Sequence, residues 1–147
     1  MTKQTRNFWI EAVLLVLIVA AIATAIFFSE LSPLNKDDVK LETGDLRSFA
    51  ATGNQLIDQY LAGQTTQTFF DSQVSLMKSK VASSAKTLRD APVKPEVKNE
   101  CLQATDLAEQ VLSGFEGLSR PQPDLNAEGV RLKSVRQKLQ ALEDKLK

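Results

Sequence analysis

The sequence predicts an all-α protein, with a single N-terminal transmembrane helix followed by an antiparallel, up-down-up-down four-helix bundle. Three observations predict this class. Residues 12–28 form an almost uninterrupted apolar run. Four later segments carry apolar residues at alternating spacings of three and four, which is the helical period, and none keeps a strand-like alternation for long. Proline or glycine separates the four segments, as expected for turns between helices.

These observations divide the chain into four parts. We expect a short cytoplasmic tail at residues 1–11, a transmembrane anchor helix at 12–28, a juxtamembrane linker at 29–36 and an extracytoplasmic four-helix bundle at 37–147. A bundle of this kind packs its helices through apolar stripes that resemble the seam of a coiled coil. The stripe that each helix turns toward its neighbours is called the seam below.

The anchor runs from Ala12 to Phe28 and gains length from the residues just before it. About 21 residues at ~1.5 Å each span roughly 30 Å, the hydrocarbon thickness of a bilayer. Trp9 lies where an interfacial aromatic residue belongs. Glu11 lies near the N-terminal edge, so we interpret it as a carboxylate that reaches the headgroups. The alternative is an intramembrane carboxylate that carries protons or pairs with another helix.

A cleaved signal peptide, which would leave a secreted protein, is the alternative interpretation of the same segment. Lys3 and Arg6 form a basic start, and Ala23–Ala25 has the small-x-small form of a cleavage site. The apolar run continues past that site, which favours an anchor. The basic residues on the two sides nearly balance. Because a short tail before a large domain is typical of a signal anchor, we place the domain outside the cytoplasm, in the periplasm if the cell is Gram-negative.

The first helix is expected to begin after Asn35, a good N-cap, and to stop at Gly63. An alternative is that the stretch Thr43–Asp45 splits it in two. The second helix ends before the proline-rich turn at residues 91–95. The seam residues predicted for these two helices are Phe49, Leu56, Tyr60, Phe70, Val74, Met77, Val81 and Leu88.

The third helix has the most regular spacing, and Pro95 suits its first position. Its small seam residues predict a close approach by neighbouring helices. Asp124 suits the N-cap of the fourth helix. The seam residues predicted for these two helices are Val97, Cys101, Ala104, Ala108, Val111, Phe115, Leu118, Leu132, Val135, Leu139 and Leu142.

Composition excludes several classes of function. Lys and Arg total 18 and Asp and Glu total 18, so no net charge attracts nucleic acid. The chain has no His, the commonest acid–base catalyst and metal ligand. Its single Cys, Cys101, is expected to be a small buried residue, with a redox role or an intermolecular disulfide as the alternative. We therefore predict no catalytic, cofactor-binding or metal-binding residue and no enzymatic activity.

The expected function is that of a non-enzymatic, membrane-anchored interaction or scaffold module, an accessory subunit of an envelope or membrane complex. Its partners would be the lipid bilayer and other membrane or envelope proteins, a second copy of the chain included, bound through helix faces. The alternative is an extracytoplasmic small-ligand sensing or binding domain, with a pocket lined by Tyr60, Ser84 and Gly53. The plan resembles bacterial sensory domains in outline. Since no second apolar span follows before Lys147, a signal would pass through a partner protein.

Overall fold

Residues 32–147 are described by the computed structural model, and this part of the chain is all-helical, as predicted. The predicted anchor, with Trp9, Glu11, Ala12 and Phe28, lies outside the described residues, as do the tail and the first residues of the linker. Four helices follow one another, with a short 3-10 turn at Pro95–Val97 before the third. They are α1 at Lys36–Leu61, α2 at Gln67–Asp90, α3 at Lys98–Leu118 and α4 at Leu125–Lys145.

Extended pairing is confined to one isolated bridge in the described part, between Leu34 and Val93. The amide of Leu34 donates to the carbonyl of Pro92 at 2.7 Å, and the amide of Lys94 donates back to Leu34 at 3.0 Å. These bonds tie the residues before α1 to the connection between α2 and α3. From residue 32 onward, no helix combines the length and the apolar character needed to cross a bilayer.

A capping box starts α1. The side chain of Asn35 accepts hydrogen bonds from the amides of Asp37 and Asp38, at 2.8 and 3.1 Å, and Asp38 accepts one in return from the amide of Asn35 at 2.9 Å. The helix then continues unbroken past Thr43, so the alternative that Thr43–Asp45 splits it is wrong. The buried hydroxyl of Thr43 donates to the carbonyl of Val39 at 2.7 Å, which satisfies it within the helix.

The later helix ends also have local causes. Gly63 follows α1 with a φ of +68°, a conformation that residues with a side chain rarely adopt. Thr66 caps α2 by accepting from the amide of Phe69 at 3.2 Å. Asp124 caps α4 by accepting from the amide of Ala127 at 3.0 Å.

Side-chain contacts link the helices to one another. Arg47 in the first half of α1 pairs with Glu143 near the end of α4, at 3.0 Å. The thiol of Cys101 at the start of α3 lies 3.4 Å from the carbonyl of Leu88 at the end of α2. Lys145 at the end of α4 pairs with the side chain of Glu100 in α3 at 2.9 Å. The four helices therefore form a bundle-like arrangement, in which α1 also contacts α3.

The core lies between the helices. Each predicted seam residue is buried except Phe49 and Tyr60, which are partly buried and pack against the core. In α2, Ala85 is buried at the seam, whereas Ser84 is only partly buried. The core also contains residues outside the predicted seam set: Val39, Leu46, Ala50, Ile57, Ala85, Leu107 and Leu146.

Candidate functional site

The seam around Gly53 is filled by neighbouring side chains. A Cβ atom at Gly53 would lie 2.9 Å from atoms of both Leu132 and Phe115, which are fully buried. Tyr60 turns instead toward α2, where its ring centroid lies 4.7 Å from that of Phe70. Gly53 therefore faces α3 and α4, whereas Tyr60 faces α2.

Cys101 lies at the inner wall of a depression of about 460 Å³ between the end of α2 and the start of α3. Burial raises the pKa of the Cys101 thiol, and a hydrogen bond with the side chain of Thr105 opposes that shift in part. A raised pKa keeps the sulfur protonated at neutral pH, and a protonated thiol is a poor nucleophile. This environment matches the expected small buried residue better than a reactive thiol.

Glu128 is a buried carboxylate in the first turn of α4. Its side chain is 8% exposed and pairs with Arg131 at 3.2 Å. The carboxylate packs onto Gly117 of α3, where any Cβ atom would collide with it. The only sequence signal for this contact is the glycine itself, which lies on another helix.

No metal centre is found within residues 32–147, where no three His, Cys, Asp or Glu side chains are grouped to hold an ion. The surface features that remain are grooves and exposed apolar side chains. Phe69 and Leu76 are exposed seven residues apart on α2, a spacing that places them on one face of the helix. Leu41 of α1 and Leu102 of α3 are exposed singly.

A further surface feature lies between α1 and α4. It comprises two open depressions, of about 450 and 370 Å³, that share Arg136. We call the two together the α1/α4 groove. Its lining is Arg47, Ser48, Ala51, Asn54, Ile57, Asp58 and Leu61 from α1, and Leu125, Asn126, Gly129, Val130, Lys133, Arg136, Gln137 and Gln140 from α4.

Charged side chains line both depressions of the α1/α4 groove, and the exposed apolar side chains lie in one of them. At one end Arg47 pairs with Glu143 at 3.0 Å and donates a hydrogen bond to the side-chain carbonyl of Gln140. Arg136 has no ion-pair partner among the residues that the structure describes. At the other end, Leu61 and Val130 are 57% and 72% exposed. The groove thus offers cationic side chains next to an exposed apolar patch.

Comparison with known proteins finds no matching family model, no similar curated protein and no similar solved structure.

Proposed function

We propose that this chain is a non-enzymatic, membrane-anchored interaction module, an accessory subunit of an envelope or membrane complex that binds its partners through helix faces. The observation that supports the proposal most is the presence of large apolar side chains on outward helix faces of a domain whose interior is already packed. Phe69 and Leu76 share a face of α2, and Leu61 and Val130 line the α1/α4 groove. Exposed apolar surface beside polar residues is typical of sites of protein association.

The membrane part of the proposal depends on the sequence of residues 12–28, whose length and apolar character suit a bilayer. We propose that this segment stays uncleaved as a single-pass anchor, with the N-terminus in the cytoplasm and residues 37–147 on the other side. Tethering would raise the effective concentration of the domain near membrane-bound partners. Modest helix-face contacts would then be sufficient for a stable complex.

The test is purification of the full-length chain from membranes in mild detergent, after chemical crosslinking in intact cells. The proposal predicts that the chain is recovered in a defined complex, with a membrane or envelope protein or with a second copy of itself. Recovery of the chain alone, as a monomer, before and after crosslinking would contradict the proposal.

A further inference from the structure

We propose that the α1/α4 groove is the docking surface for an acidic amphipathic helix of a partner protein. This inference rests on the proposed function, because it names the surface and the kind of partner.

Charge complementarity selects an acidic partner. The groove is lined by three cationic side chains, Arg47, Lys133 and Arg136, and by one carboxylate, Asp58. Glu143 neutralises Arg47 in part, and the ion pair also holds that guanidinium at the groove. Arg136, which lines both depressions, has no ion-pair partner in residues 32–147. A carboxylate of the partner would supply the missing counter-charge through paired N–H donors.

The shape of the groove suits a helix. It extends along α1 from Arg47 to Leu61, which is roughly 21 Å at ~1.5 Å per residue, or about four helical turns. Small residues, Ala51 of α1 and Gly129 of α4, are among those that line it. A concave channel between two packed helices fits a cylinder better than it fits the flat surface of a bilayer.

The apolar end of the groove requires an apolar residue in the partner. Leu61 and Val130 are exposed there, beside the partly buried Leu125. A partner helix with acidic residues along one edge and a large apolar residue near one end would match both halves of the groove. Amphipathic helices bind grooves through such anchors at helical spacing.

The test is site-specific photo-crosslinking of the full-length chain in intact cells of its native host. A photoreactive amino acid replaces Gln137, which lines the groove, or Ser79, which is exposed on α2 away from it. Each crosslinked segment is then identified by mass spectrometry. The same experiment is repeated with Arg136→Glu and with the matched control Lys138→Glu, which makes the same charge change on α4 but faces Gln110 of α3.

The inference predicts that the probe at position 137 captures a segment of another protein with net negative charge and helical apolar spacing. Arg136→Glu should lower that yield about tenfold or more, since it sets like charges against each other, and Lys138→Glu should not. Reversing the facing acidic residue of the captured partner to Arg should restore the yield with Arg136→Glu.

Other outcomes overturn the inference. Capture at position 137 of lipid alone, of a second copy of this chain, or of a segment without net negative charge would contradict the assigned occupant. An unchanged yield with Arg136→Glu would contradict the role of the groove charge. Capture of a protein at position 79 alone would show that the α1/α4 groove is not the docking surface. The proposed function would still hold. The absence of any captured protein at both positions would contradict both.

Discussion

At the scale of single residues, Gly53 shows most clearly how the helices approach one another. Its missing side chain leaves room for Leu132 and for the ring of Phe115, both of which are buried and cannot move into solvent. Gly114 plays the same part in α3, where a Cβ atom would lie 2.8 Å from Leu132. These glycines therefore serve close packing, at some cost in helix propensity.

Gly53→Ala should destabilise the domain by about 1–2 kcal/mol, because overpacking costs more than the helix gains from alanine. The matched control is Gly44→Ala in the same helix, where a Cβ atom would meet nothing within 4 Å. That variant should be more stable than the wild type by about 0.5–1 kcal/mol. Urea unfolding followed by circular dichroism measures both. If the free energy of unfolding changed in the same direction for the two variants, the close packing assigned to Gly53 would be contradicted.

The ion pair between Glu100 and Lys145 predicts how stability depends on pH. The hydrogen bond and charge of Lys145 lower the pKa of Glu100 in the folded protein. A lowered folded pKa stabilises the protein fully above the pKa of the unfolded chain, about 4.3 for Glu, and that contribution is lost as pH falls through the folded value. Stability should therefore fall at acid pH, and Glu100→Gln should make the fall shallower.

Thermal unfolding between pH 7 and pH 3 measures this effect. Lys145→Gln should make the loss of stability at low pH shallower, as Glu100→Gln does. The double variant should behave like either single variant, because both substitutions remove the same interaction. Additive effects of the two substitutions would show that the pair does not act as a unit.

At the scale of elements, the small residues of α3 set the distance to its neighbours. Ala108 is fully buried on that seam. Ala108→Leu should overpack it and cost about 1–3 kcal/mol. Gln103→Leu adds a leucine to an exposed position of the same helix and should change stability by less than about 0.5 kcal/mol. An unchanged melting temperature for Ala108→Leu would mean that the seam is looser than the structure shows.

The first helix depends on its capping box. Asn35→Ala removes the acceptor for the amides of Asp37 and Asp38 and should cost about 0.5–2 kcal/mol. Asn35→Asp keeps an acceptor oxygen and should lose much less. Equal losses for the two variants, measured by urea unfolding, would show that the side chain of Asn35 contributes something other than the cap.

Helix ends could be predicted from the sequence because their causes are local. Asn35, Gly63 and Asp124 occupy the ends that their hydrogen-bonding groups and backbone preferences indicate. On the seam of α2 the residue that follows Val81 is Ala85, which the predicted set lacks, whereas Ser84, expected to line a pocket, is only partly buried. Both choices keep spacings of three and four after Val81, so periodicity could not separate them. The structure buries the alanine, which has no hydroxyl to satisfy.

At the scale of the whole molecule, the features with functional interest arise between segments that are distant in sequence. Arg47 meets Glu143 and Gln140 only because α1 and α4 lie side by side. Likewise, the burial of Glu128 depends on a glycine in α3. A single sequence contains no spacing rule for such contacts. The sequence predicted the helical class and most of the core, whereas the α1/α4 groove could be identified only from the structure.

We propose that an N-terminal apolar helix anchors a helical interaction domain to a membrane. The most direct test is alkaline carbonate extraction of membranes from cells that make the full chain, followed by the intact mass of the recovered protein. We predict that the uncleaved 16.2 kDa chain stays in the membrane pellet. A full-length chain in the supernatant, or a product shortened at Ala25, would contradict the claim.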